Sequence, residues 1–184
     1  MTDEDLIKLY LEGGEQKKSK TFSLIYDRLS GALKSYCDFL VGASQESDDI
    51  FQECFIILHK KLESGQLIEN PKAYLHMVAK NMARNKWRDK KVFVEVAPED
   101  FSFDMTADMA KDEMLGLIES GLQLLDSKYR EAFVLREYSG MKFEEIASVL
   151  DLSLSGAKTR VLRAHEKLVK ILRPYIDEMK INVK

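Results

Sequence analysis

Cysteine is nearly absent from this chain: Cys37 and Cys54 are the two thiols in 184 residues, with no Cys-x-x-Cys pair and no histidine at metal-ligand spacing beside them. A disulfide framework and a structural zinc site are therefore not expected, and each thiol falls on the apolar side of a helical pattern, where burial is the default. Histidine is as scarce. His59, His76 and His165 fall in three separate helical segments with no motif that gathers a serine, cysteine or carboxylate around them. The chain also lacks G-x-x-x-x-G-K-[S/T], G-x-G-x-x-G and H-E-x-x-H, so neither an enzyme nor a cofactor is expected. No run of about eighteen apolar residues occurs, and the chain opens on acidic MTDEDLIKLY rather than a basic and then apolar leader. The expectation is a protein that stays in the cytoplasm, without membrane insertion. Strand-like alternation is confined to residues 92–96, too short and isolated to found a sheet.

What the chain has in abundance is charge, unevenly placed. The net charge of -3 would argue against a polyanionic partner if it were spread evenly. Residues 80–91, KNMARNKWRDKK, set six basic residues against the single acid Asp89. Residues 92–113 then carry seven acids, Glu95, Glu99, Asp100, Asp104, Asp108, Asp112 and Glu113, against Lys111. A second basic cluster follows near the C-terminus. Two positive modules joined by a negative strap suit a chain that touches nucleic acid at two separated places.

Helical periodicity runs almost throughout. Thr2 with Asp5 resembles a capping box for a short helix to about Leu11, ended by Gly13-Gly14. Phe22, Ile25, Tyr26, Leu29, Leu33, Tyr36 and Leu40 mark the most regular helix, with Gly42 as its stop. Ser47 is expected to open a third, with Ile50, Cys54, Ile57, Leu58 and Leu62 inward. A fourth starts after Asn70-Pro71, where proline suits a first turn, and runs to about Lys90. Residues 92–110 hold Pro98 and few periodic apolar positions, which predicts an extended or disordered linker. Met114, Leu117, Ile118, Leu122 and Leu125 mark a fifth helix, and Ser127 begins a sixth that ends near Ser139-Gly140.

Residues 141–168, MKFEEIASVLDLSLSGAKTRVLRAHEKL, are the most informative segment, because they read as a helix-turn-helix. Ile146, Ala147 and Leu150 stripe a short first helix; Ala157, Val161, Ala164 and Leu168 stripe a longer second one. Between them, residues 151–154 are too few for anything but a tight turn, with Leu152 plugging the angle and Ser153 or Ser155 available as a cap. The second helix presents Lys158, Thr159, Arg160, Arg163 and Lys167 against one acid, Glu166. That is the charge a major-groove helix needs.

Three ordered motifs carry a family likeness that covers nearly the whole chain. SDDIFQECFIILHKKL is similar to an Asp-Leu-x-Gln-Glu-x-Phe helix, NPKAYLHMVAKNMARNKWRDKK to a Trp-Leu-x-x-Ile-Ala-Arg-Asn helix, and LDSKYREAFVLREYSGMKFEEIASVLDLSLSGAKTRVLRAHEKL to an Arg-Glu-x-Phe, Glu-Glu-Ile-Ala and Lys-[Ser/Thr]-Arg series. The chain thereby resembles the sigma-70 family, specifically the small extracytoplasmic-function (ECF) group that keeps the second and fourth sigma regions. The resemblance implies an all-α fold of two small helical domains: residues 1–91 as region 2, 92–112 as a flexible acidic linker and 113–184 as region 4. It implies core RNA polymerase and promoter DNA as partners, an anti-sigma factor as a further candidate partner, and a monomer when free. The competing reading is a stand-alone helix-turn-helix regulator that binds a palindrome as a dimer. Residues 48–55 and the second basic helix speak against it, since such a regulator needs neither.

The resemblance also distributes roles. Ser155, Lys158, Thr159, Arg160, Arg163 and Lys167 are expected at the upstream promoter element. Lys80, Asn81, Arg84, Asn85 and Arg88 are expected at the start-proximal element, with residues 66–70 where family members pocket an unstacked base. Asp48, Asp49, Gln52 and Glu53, an acid and amide patch without nearby lysine and beside the aromatics Phe51 and Phe55, which are expected to be exposed, are expected to dock on the polymerase. Departures from the family pattern include Asp151 where glycine is usual, Ala157 for a larger aliphatic residue, Tyr74 for tryptophan, Lys80 for arginine and Asn85 for aspartate. A left-handed backbone at Asp151 is compatible with aspartate.

Overall fold

The cap expected at the N-terminus forms: Thr2 N donates to Asp5 Oδ2 at 2.6 Å and Asp5 N to Thr2 Oγ1 at 3.1 Å, opening α1 (Asp3–Leu11). The computed structural model describes residues 1–89 and 109–181, and side chains outside 1–86 and 116–175 are not described. Four helices precede the gap. After α1 come α2 (Glu15–Val41), α3 (Gln45–Glu63) and α4 (Pro71–Asp89). Gly42 stops α2 with φ at +77°, a conformation that costs glycine little. Asn70 caps α4, its Oδ1 accepting from Ala73 N at 3.0 Å, and Pro71 occupies the first turn, where its missing N–H leaves no bond unmade.

Four more helices follow. They are α5 (Met109–Gln123), α6 (Ser127–Phe133), α7 (Phe143–Leu150) and α8 (Leu154–Ile181), with a π-helical turn, Val134–Tyr138, prolonging α6. The sixth helix thus reaches the expected end near Ser139, but its last turn widens: Ser139 N donates to Val134 O and Met141 N to Leu135 O, each at 3.0 Å. α5 opens at Met109, so the last residues of the segment expected as linker are helical; its residues 92–108 lie outside those described. Gly121 lets α5 approach α8 closely, since a Cβ there would stand 2.7 Å from Leu172 Cδ2.

Among the described residues one apolar core runs through both halves. Leu33, Tyr36, Ile50, Leu58 and Leu75 of the first half and Leu135, Met141, Ile146 and Val161 of the second are buried together, while Leu122, Leu125, Phe133, Ala164, Leu168 and Leu172 form a smaller cluster beneath α5 and α8. Burying side chains of this size stabilises by about 1.5–3 kcal/mol each.

Three local expectations change. The third helix begins at Gln45, two residues before Ser47, which is fully buried and bonded through its Oγ to Asp38 Oδ1 at 2.5 Å. Phe55 is 5% exposed and belongs to the core, so it is not a surface aromatic; Phe22, Tyr26 and Phe51 ring it. Asp48 is not remote from lysine, because Lys34 of α2 stands 3.2 Å from it. Sequence spacing along α3 carries no information about the neighbouring helix that supplied both changes in environment.

Candidate nucleic-acid interface

The helix-turn-helix is built as its spacing suggested. Asp151 ends α7 in the left-handed conformation, with φ at 53° and ψ at 56°, taking the role a glycine fills most cheaply. Ser153 then caps α8, its Oγ accepting from Gly156 N at 3.0 Å. Leu152 packs against the core between the two helices. Ala157 and Ala164 are fully buried, and Val161 and Leu168 nearly so, which fixes the rotation of α8. The small side chain of Ala157 is fully buried in the same core cluster as Ile146 and Val149.

That rotation determines what α8 shows. Ser155, Lys158, Thr159, Arg163 and Lys167 are exposed and Arg160 is half-buried. Lys158 lies over the Phe143 ring at 5.9 Å, and Lys167 over Tyr129 at 5.2 Å with Asp126 4.0 Å away. The face is positive at one end and partly neutralised at the other.

On α4, Leu75, Ala79 and Ala83 are buried, and Asn81, Arg84 and Asn85 are exposed on the far side. Arg88 lies on the same helix, but its side chain, like that of Trp87, is outside those described. Lys80 stands apart from this group. Its Nζ is 3.1 Å from Glu131 Oε1 of α6, and the lysine is half-buried. Lys86, six residues further on, is 3.9 Å from Glu46.

Residues 66–70 connect α3 to α4, and their asparagine is engaged twice. Asn70 caps α4 and donates from Nδ2 to Glu145 Oε1 of α7 at 2.9 Å. Close by, Lys72 Nζ donates to Gly140 O at 3.1 Å, and His76 Nε2 lies 3.1 Å from Ser139 Oγ. His76 is 1% exposed, and burial holds its pKa down at about 4. That its partner is a serine 63 residues away was not visible in the sequence.

The acid and amide patch of α3 is divided. Asp49 and Gln52 are exposed and Glu53 is half-buried, whereas Asp48 pairs with Lys34. Leu24 and Tyr26 of α2 and Ile56 of α3 are exposed apolar residues. Among the described residues no group of three or more side chains could hold a metal ion, and no helix is long and apolar enough to cross a membrane.

Comparison with known proteins bears on the whole arrangement. Residues 25–92 match the family described as Sigma-70 region 2 and residues 115–168 that described as Sigma-70, region 4. RNA polymerase sigma factor SigZ of Bacillus subtilis is 30% identical over 152 residues, covering 80% of this chain and 85% of that protein. The ferric citrate uptake sigma factor FecI of Escherichia coli is 30% identical over 154 residues, covering 80% and 88%. The sequence is also similar to curated proteins of the ECF group. In fold, the chain is similar to the sigma factor RpoE solved in complex with the anti-sigma factor NepR from Bartonella quintana, with a TM-score of 0.63, 23% identity and coverage of 84% of this chain and 98% of that one.

Proposed function

This chain belongs to the ECF group of the sigma-70 family, factors that bind core RNA polymerase and direct promoter-specific initiation, and we propose that it divides that work among three faces. α8 reads the upstream element through Ser155, Lys158, Thr159, Arg160, Arg163 and Lys167. α4 reads the start-proximal element and assists its opening through Lys80, Asn81, Arg84, Asn85 and Arg88. Asp48, Asp49, Gln52 and Glu53 of α3 dock on the polymerase. The observation that carries the reading is that two basic faces stand on separate helices, each backed by its own buried stripe of small and aliphatic side chains. Arginine can hold a phosphate or a guanine edge with two parallel bonds, and asparagine can discriminate an adenine, so the residue types match the task.

Region 2 is assigned to residues 1–91 and region 4 to 113–184, with the helical start at Met109 adding to the latter. The protein acts without catalysis of its own, in the cytoplasm, and as a monomer when free. A neighbour in fold is solved with an anti-sigma factor, and an inhibitor of that kind is the further partner proposed here. The family membership sets aside the dimeric regulator.

The test is promoter binding by the reconstituted holoenzyme across salt concentrations, alongside permanganate detection of unpaired thymines. Alanine at Arg84 and Asn85 is expected to lower opening on a promoter whose upstream element still binds, and alanine at Arg163 to lower binding itself. Equal loss of binding and opening in both sets would overturn the division.

A further inference from the structure

We infer that Leu162 of α8 reads the 5-methyl group of a thymine in the upstream promoter element, as the apolar member of a face otherwise made of charged and hydroxyl side chains. The inference rests on the proposed role of α8 and adds a residue to it. Leu162 is 58% exposed, although Val161 before it and Ala164 beyond it are buried. Successive helical residues turn by about 100°, which puts Leu162 about 160° around the axis from Ala164 and so away from the core. It stands seven residues after Ser155, four after Lys158 and three after Thr159, all of them exposed, so these four share one side of the helix. Arg163 and Glu166, also exposed, border it on the C-terminal side. A single exposed leucine is ordinary on a protein surface. One set among the side chains that face DNA leaves water when the helix is seated, and its chemistry then decides what it can meet.

Leucine neither donates nor accepts a hydrogen bond. In the major groove guanine presents N7 and O6, adenine N7 and its N6 amino group, and cytosine its N4 amino group, and Leu162 would cover each of these without pairing it. Thymine alone of the four bases presents an apolar group there, the C5-methyl, which gains by leaving water. The position along the helix suits that contact. α8 opens at Leu154, so Leu162 lies about 12 Å along the axis from its start, within the N-terminal part that a recognition helix lays against base edges. Lys158 and Arg163 to either side meet phosphate or a guanine edge, and the leucine supplies selection at a base pair that they leave unread. Val169, 63% exposed, continues the same line about two turns further on, beyond that part.

The experiment uses the reconstituted holoenzyme and a promoter duplex found by mapping transcript starts after overproduction of the protein. Thymines of its upstream element are replaced one at a time with deoxyuridine, which keeps the base pair and removes the methyl. Wild-type holoenzyme is expected to lose about fourfold in affinity at one of these positions, the equivalent of one methyl group returned to water. Leu162→Ala holoenzyme is expected to bind the thymine duplex about fourfold less tightly and to show no further loss with deoxyuridine at that position. Leu162→Met, which keeps an apolar tip, is expected to stay sensitive. A deoxyuridine penalty that is the same in Leu162→Ala as in wild type, or no penalty at any thymine, overturns the proposal. So does a Leu162→Ala chain whose loss lies in affinity for core polymerase with promoter selectivity intact, since the leucine would then face protein. Failure of the α8 role itself reads out separately and takes the leucine's role with it: Lys158→Ala and Arg163→Ala holoenzymes would then bind the unmodified duplex as wild type does. With those two variants impaired and no methyl dependence, the leucine assignment alone fails.

Discussion

The two basic helices of this protein differ in how much of each is spoken for. α8 buries one stripe within its own half and turns Lys158, Thr159 and Arg163 to solvent. α4 buries a stripe within its half as well, but its first turns also meet the other half through Lys72, His76 and Lys80. A helix of the first kind can be read from its sequence as a binding element. A helix of the second kind serves packing and binding with adjacent residues, so each of its substitutions reports on both.

The largest effect expected from this contrast is in stability. Leu75 is fully buried on α4 beneath the seam, and Leu75→Ala is expected to cost about 2–5 kcal/mol. Because the core is continuous, thermal unfolding followed by far-ultraviolet dichroism and by tryptophan fluorescence should shift together. A shift confined to one probe would break the picture of a shared core.

Acid should act on α4 next in size. Burial holds His76 at about 4, below the ordinary 6.5, with Lys72 and Glu145 as the charged groups near it and Tyr36 packed on its ring. Above about 6.5 the folded and unfolded chains both keep the imidazole neutral and nothing is lost. As the pH falls from there to about 4 the unfolded chain takes up the proton first, and stability declines by on the order of 3 kcal/mol in all. Denaturant titrations at stepped pH should show this decline, and His76→Gln should flatten it. A His76→Gln chain with the same slope would assign the decline to other groups.

On α8 the effects belong to DNA. Arg163→Ala is expected to cost about 1–3 kcal/mol of holoenzyme binding and to relax preference at one base pair, whereas Lys158→Ala should weaken all sequences alike and reduce the salt slope by about one unit. Binding isotherms on single-base promoter variants at several salt concentrations separate the two. If both variants lose affinity uniformly, Arg163 contacts backbone and not a base.

The smallest effect is expected at the turn before α8. Asp151 holds a left-handed backbone, φ 53°, at a modest cost, and Asp151→Gly should stabilise by about 0.5–1 kcal/mol without altering promoter binding. A melting temperature that falls instead would mean that the aspartate side chain contributes more than its strain removes.

Much of this was legible in the amino-acid order, and the parts that were not share a cause. The capping box of Thr2 and Asp5, the stop at Gly42, the turn at Asp151 and the stripe of Ala157, Val161, Ala164 and Leu168 are local features, set by spacing within about one turn or two. The burial of Phe55, the pairing of Lys34 with Asp48 and the contacts of Lys80 and Asn70 depend on helices brought together from distant positions. A 3.6-residue period tells which side of a helix is apolar; it does not tell which polar residue at the margin of that side meets a second helix. The widened turn at Val134–Tyr138 was hidden for a different reason, since no residue type in VLREY demands it.

That widened turn sets an azimuth. It spends one residue more than an α-helix does on the same circuit and so absorbs that residue; wound as regular α-helix, the same residues would turn everything beyond them by roughly 100° about the axis of α6. Ser139, Met141 and the helix-turn-helix that follows therefore leave α6 at a heading fixed by main-chain register and not by any single side chain. Tightening this segment to α-helical pitch at unchanged length would leave α6, α7 and α8 each able to form, yet would swing the recognition helix to a new bearing relative to Glu131, whereas removing one residue would let a regular turn keep the bearing. The aim of the upstream DNA-reading face is thus written as a count of peptide units together with the width of one turn, which point substitutions at the surface leave untouched.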